Sequence, residues 1–161
     1  MTRGVYLAGP DVFHPDHGRI FTERRATCRR HGLAPLTPLD SGATAAEDIY
    51  RASVRLLDGC AAVVANVTPF RGPHCDPGTA WEIGYAVARS VPVFAFSQAT
   101  APLRARVGTA GGRFDATGML VEDFGLIENL MIVMSAAGQV VHPSFEAAVT
   151  AAARHLGVKE A

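Results

Sequence analysis

The stretch AAVVANV (61–67) constrains the fold most tightly, because Asn66 is its only polar residue. A nearly continuous apolar strand of this kind is buried on both faces, as in a parallel sheet covered by helices. Three further short runs read the same way. GVYLAG (4–9) is a strand that ends in the turn Gly9-Pro10, LAPL (33–36) is a second, and VPVFAF (91–96) is another buried one. Between them lie helical patterns. Residues 16–31 carry Ile20, Phe21 and Cys28 among charges, with Gly32 as the C-terminal stop. Residues 45–59 place Ile49, Val54, Leu56 and Leu57 on one stripe. A helix from about Thr79 to Arg89 turns Ala80, Ile83, Ala86 and Val87 towards the sheet. Another lies near 126–137. The last runs over 142–157, started by Pro143 and Ser144, with Phe145, Ala148, Val149 and Ala152 on one face. Residues 97–118 are small, Gly-rich and weakly patterned, and are expected to form a long, mobile loop.

Strands that alternate with helices predict an α/β fold: a doubly wound parallel sheet of about five strands with helices on both faces. The expectation is one domain over 1–161, without repeats or linker. Ligands bind such sheets beyond the C-terminal ends of the strands. The loops after the first and third strands open on that edge.

Composition narrows the partners. Apolar residues make up 48% and charged residues 19%, and fifteen basic side chains cancel fifteen acidic ones. A neutral balance disfavours nucleic-acid and anionic-membrane surfaces and leaves small ligands open. No leader pattern and no membrane-length apolar run are seen, so a soluble, cytoplasmic protein is expected. Cys28, Cys60 and Cys75 fit neither a disulfide framework nor a zinc pattern. His14 and His17 in HPDH, and His74 beside Cys75, read as turn or surface residues, so no metal is expected. LAGPDVF has neither a G-x-G-x-x-G nor a Walker pattern, which disfavours nucleoside-triphosphate and nicotinamide chemistry.

The informative stretch is HCDPGTAWEIGYA (74–86). On one regular helix Asp76 and Glu82 would stand roughly 120° apart. Pro77 and Gly78 instead place Asp76 at or just before the N-cap, from which the loop folds back over the helix start near Glu82. Capping alone explains Asp76 about as well as chemistry does. Glu82 is harder to dismiss, because a carboxylate close to an apolar face needs partners or a job. Two carboxylates over one strand edge suit reaction at an anomeric carbon, whose transition state is oxocarbenium-like. Tyr6 lies near the end of the first strand and reads equally as core or site. Asn129 is an isolated amide in the Met-rich stretch ENLMIVM, where Met131 marks core or an interface. Asp40 reads as a turn cap, and Arg71 as a loop residue able to meet an anion.

Together, VYLAGPDVF, AAVVANVTPFRGPHCDPGTAWEIGYA and VEDFGLIENLM resemble the nucleoside 2-deoxyribosyltransferase family, in the family's order and from residue 5 to about 134. The resemblance implies a flavodoxin-like sheet. It implies transfer of 2-deoxyribose between nucleobases of 2′-deoxyribonucleosides, with retention, through a glutamyl-deoxyribosyl intermediate and with no cofactor. It implies Glu82 as nucleophile, Asp76 on a sugar hydroxyl and positioning Glu82, and Tyr6 orienting that carboxylate. Gly9 joins the substrate-binding set. Asn129 would reach the 5′-hydroxyl in a neighbouring subunit, with Met131 beside it. The partners implied are deoxyribonucleosides, free nucleobases and further copies of the chain, from dimer to hexamer.

The chain also departs from the family pattern. Ser53 aligns with an acid that contacts the base in some members, and Ser cannot act as a proton-donating acid. Ala61 stands where Asp is frequent. Asp40 and Ser41 are the substitute base contacts. The tail GVKEA lacks the aromatic end of some relatives. Two rivals stay open. One is hydrolysis of a nucleoside or its monophosphate, against which Asp11 and Asp16 argue by repelling a phosphate. The other is a non-catalytic nucleoside binder.

Overall fold

A computed structural model of the chain describes residues 3–109 and 112–158. Five strands form one parallel sheet: β1 (Arg3–Ala8), β2 (Leu33–Leu36), β3 (Ala62–Asn66), β4 (Val93–Phe96) and β5 (Val141–His142), in the order β2-β1-β3-β4-β5. Six helices accompany them: α1 (His17–Arg30), α2 (Ala46–Gly59), α3 (Pro77–Ala88), α4 (Leu103–Val107), α5 (Leu130–Ser135) and α6 (Phe145–His155). Short 3-10 turns at Pro10–Phe13 and Pro38–Ser41 follow β1 and β2. This order is that of the flavodoxin-like doubly wound sheet.

Alternation along each strand divides the core. Val5, Leu7, Val64, Phe94 and Phe96 face α1 and α6, where they meet Phe21, Cys28, Ala148, Val149 and Ala152. Tyr6, Ala8, Val63, Ala65, Val93 and Ala95 point the other way, against Leu57 of α2 and Ile83 and Ala86 of α3. All five residues of β3 are buried, as its unbroken apolar pattern requires. Tyr6 pairs with Leu36 of β2 on one side and Val63 of β3 on the other. Its ring is therefore core, and its direction is set by the register of three strands.

Several expectations are corrected. Ile49 and Val87 are exposed, because each sits past the edge of its helix's buried stripe. Residue 142 belongs to a strand: Val141 and His142 pair with Ala95 and Phe96. Two residues carry no readable period, and only β4 makes them a strand. The described residues of 97–118 are not without structure: they contain α4, and Phe114 forms an antiparallel bridge with Leu120, just beyond the segment. Leu103 is buried, and its N–H donates to the Leu126 carbonyl at 2.8 Å. Arg106 donates to the Pro73 and Ala101 carbonyls. These long-range anchors have no signature in local composition.

The edge where β1 and β3 end is closely packed. Gly9 has φ 155, and a Cβ there would lie 2.7 Å from the Asn66 Cβ and 2.8 Å from Asp11 Oδ2. Asn66 and Arg24 both donate to Asp11, the latter in a fork at 2.5 and 2.8 Å. Gly9 thus lets the loop after β1 cross directly over the end of β3. Gly9→Ala is expected to lower stability by about 1–3 kcal/mol through overpacking and backbone strain. Urea titration followed by far-UV circular dichroism measures this, and an unchanged midpoint would show that the loop relaxes freely.

Candidate active site

Asp76 is the N-cap of α3. Its Oδ2 accepts from the Thr79 N–H at 2.9 Å and the Thr79 hydroxyl at 3.2 Å, with Pro77 in the first turn. This cap, at the position expected for it, sets where α3 begins and hence its rotational phase. Ile83 and Ala86 then turn into the sheet and Trp81 turns out. Glu82 falls between them, half-buried, at the C-terminal edge of β1. There the Tyr6 hydroxyl donates to Glu82 Oε1 at 2.6 Å. Ser53 of α2 lies close enough to the same phenol to lower its pKa, against the larger effects that raise it.

The electrostatics of this trio follow from burial. Desolvation pushes the Glu82 carboxyl up to about 7, the Tyr6 bond pulls it down, and the negative charge of Asp76 pushes it up again. Burial and the adjoining Glu82 hold the Tyr6 phenol far above its usual range, so it remains a neutral donor. The site therefore holds a carboxylate poised near neutrality, with one oxygen fixed by a neutral hydroxyl. That arrangement suits a nucleophile or a general base.

Beside the trio, the loop after β3 forms a cleft that does not include Tyr6 or Glu82. Asp76 lines this cleft of about 440 Å³ with Phe70, Arg71, His74 and Cys75. Phe70 stacks on Phe13 of the loop after β1, with centroids 5.3 Å apart, and the Arg71 guanidinium lies over both rings. Arg71 is thus held by aromatic faces. Among the described residues, no group of three or more His, Cys, Asp and Glu side chains is arranged to hold a metal. Among them also, no helix is long and apolar enough to cross a membrane.

The nucleoside 2-deoxyribosyltransferase family profile matches residues 5–131. The chain belongs to this family. It is accordingly an enzyme of the pentosyltransferase class. A solved 2-deoxyribosyltransferase from Leishmania mexicana is similar at 38% identity and a TM-score of 0.83, covering 95% of this chain and 98% of that one. A 2-deoxyribosyltransferase from Bacillus psychrosaccharolyticus shares the fold at 17% identity and a TM-score of 0.62, covering 98% of both chains. An uncharacterized protein of Schizosaccharomyces pombe is 30% identical over 156 residues, 79% of this chain and 74% of its own length.

Against that family pattern, Tyr6, Glu82, Asp76 and Ser53 converge. Gly9 lies at the same sheet edge, against Asn66. The remaining family positions lie elsewhere. Asn129 caps α5, its Oδ1 accepting from the Met131 N–H at 3.0 Å and its Nδ2 donating to Glu122. Met131 is exposed. Asp40 is engaged locally: it closes a capping box with Thr37 and pairs with Arg25 at 2.5 Å. Ser41 accepts from the Ala43 N–H. The local turn chemistry thus uses the groups proposed as base contacts. The argument that Asp11 repels phosphate is corrected, because Arg24 neutralises it. Residues 159–161 of the tail lie outside the described residues.

Sequence reasoning missed Glu128, a buried carboxylate beside Asn129. The available signal was an acid inside the apolar run LIENLMIVM, of the same kind that singled out Glu82.

Glu82 also leaves a thermodynamic signature. Its folded pKa of about 7 lies above the ordinary 4.5, so the folded state binds the proton more tightly than the unfolded chain. Stability linked to this group is full below pH about 4.5 and is lost as pH rises through about 7. Glu82→Gln removes that loss. Its gain over wild type is expected to be near zero at pH 4.5 and about 1–3 kcal/mol at pH 8. Thermal unfolding across that range measures the difference, and a pH-independent one would contradict the raised pKa.

Proposed function

We propose that the chain moves 2-deoxyribose from one nucleobase to another by two displacements at Glu82. The observation that carries this reading is the 2.6 Å hydrogen bond from Tyr6 to Glu82 Oε1. It occupies one carboxylate oxygen and leaves Oε2 to attack C1′ of a 2′-deoxyribonucleoside. A C1′–O bond forms and the C1′–N bond breaks. The departing base keeps the electron pair and takes up a proton. An incoming base then attacks C1′ through nitrogen and loses its proton, and the carboxylate leaves. Two inversions give retention. Asp76, beside Glu82, binds a sugar hydroxyl, and its charge favours the oxocarbenium-like transition state. Ser53 supports Tyr6 from α2. Base exchange of this kind serves nucleoside salvage, and three free buried thiols suit a reducing cytoplasm.

The same reading assigns Asn129 and Met131 to the site of a neighbouring copy, at a sugar 5′-hydroxyl. Exposed apolar side chains support assembly into a homo-oligomer: Met131 and Met134 on α5, Trp81 on α3, and Ile49 and Tyr50 on α2.

Deoxyinosine with free adenine is expected to yield deoxyadenosine on chromatography. Glu82→Ala should lower the rate by on the order of 10⁴-fold or more. Intact-mass spectrometry of wild type with donor alone should show one deoxyribosyl adduct, absent in the variant. Hypoxanthine release without deoxyadenosine would make the chain a hydrolase, and a parallel arm with deoxyinosine 5′-monophosphate would reveal a phosphorylated donor.

The pH profile provides a separate test. The nucleophile must be ionised, so kcat/KM should rise with pH through about 7. Tyr6→Phe removes the bond that lowers the Glu82 pKa. Its acidic limb should therefore move to higher pH, and a downward shift would refute Tyr6 as the stabiliser of the carboxylate.

A further inference from the structure

The reading above places Asp76 on the sugar of this chain's own site and Asn129 on the sugar of a neighbouring copy's site, and the two come from separate segments. A single side chain touches both segments. Glu128 is 1% exposed. Its Oε2 accepts from the Cys75 N–H at 3.0 Å, and its Oε1 accepts from its neighbour's N–H, that of Asn129, at 2.9 Å. The His74 ring Nδ1 lies 2.9 Å from Oε1. Arg106 of α4 approaches Oε2 at 3.4 Å while its guanidinium also holds the Pro73 carbonyl at 2.9 and 3.1 Å. Cys75 immediately precedes Asp76, so the carboxylate fixes the peptide from which the Asp76 cap departs. It fixes the peptide of Asn129 itself.

Packing does not demand an acid here. An apolar side chain would fill the space without the cost of burying a charge. A carboxylate does what no apolar group does: it accepts two backbone N–H groups from two segments at once. We propose that Glu128 is a positioning residue for sugar recognition, clamping the Asp76 loop, which serves this chain's own site, to the start of α5, which carries Asn129 to the site of a neighbouring copy. The inference rests on the functional reading above, which supplies the sugar. The clamp itself rests on hydrogen bonds alone. Arg106 and His74 are its supporting donors, and through Arg106 helix α4 becomes part of the site's frame.

Two variants and two readouts test it. Glu128→Gln keeps the volume and replaces one accepting oxygen with an NH2 group. Glu128→Asp keeps the charge and draws it back by one methylene. Hydrogen exchange read by mass spectrometry should quicken by about tenfold or more in peptides covering 72–80 and 124–132, with β1 and β3 unchanged. Kinetics should depend on the donor. With deoxyinosine, kcat/KM is expected to fall by about 30-fold. With 2′,5′-dideoxyinosine, which lacks the hydroxyl given to Asn129, only the Asp76 part of the loss remains and it should fall by about fivefold. A merely structural role would lower both donors equally, and that result overturns the proposal. Unchanged exchange in the two peptides overturns it as well. Wild type that transfers no deoxyribose would overturn the functional reading instead, and the exchange measurement would still decide whether the clamp exists.

Discussion

A carboxylate half-buried over the edge of an apolar sheet holds its place through one hydrogen bond, from Tyr6 to Glu82. The rest of the site is arranged around that contact. The phenol points at the edge because β1 is pinned between β2 and β3, with Tyr6 opposite Leu36 and Val63. The carboxylate meets it because Asp76 caps α3 and so fixes the helix's phase. A shift of one residue in either register would swing one partner away. Burial makes the bond strong and also raises the cost of the charge it holds, which is why Glu82 titrates near neutrality.

The same logic of buried charge with dedicated partners recurs twice around the edge. Asp11, taken into the loop after β1, is neutralised by Arg24 and bonded by Asn66, and Gly9 leaves room for that approach. Glu128, taken under the loop after β3, accepts from two backbone N–H groups and has Arg106 beside it. One acid locks each loop. Glu82 differs from both: Tyr6 takes its Oε1, and no cation among the described residues is paired with it. The aromatic pair Phe13 and Phe70, capped by Arg71, joins the two loops.

Much of this was legible from local pattern. β3 could be read from its unbroken apolar run, and α6 from its stripe and the Ser144 cap, whose hydroxyl oxygen accepts from the Ala147 N–H. The Asp76-Pro77 cap announced the start of α3. What was illegible is what depends on distant partners. Val141 and His142 become a strand only beside β4. Residues around α4 look featureless until Arg106 finds the Pro73 carbonyl. Asp11 looked like a free loop charge and is paired with Arg24 of α1, and Asp40, read as a turn cap, does cap its turn and is also paired with Arg25 of α1. Ile49 and Val87 looked like core because helical periodicity gives the centre of a buried stripe more surely than its width.

By itself the sequence determined the class of fold, the edge on which the candidate site lies and the prominence of Asp76 and Glu82, because hydrophobic period, turn residues and caps act over a few neighbouring residues. Tertiary structure alone decided which acid is available and which is spent on a partner. It brought Tyr6 to Glu82 across 76 positions of chain and put Glu128 between two loops. Those outcomes depend on strand order and helix phase, which exist only once the sheet has assembled, and burial then turns proximity into shifted pKa values.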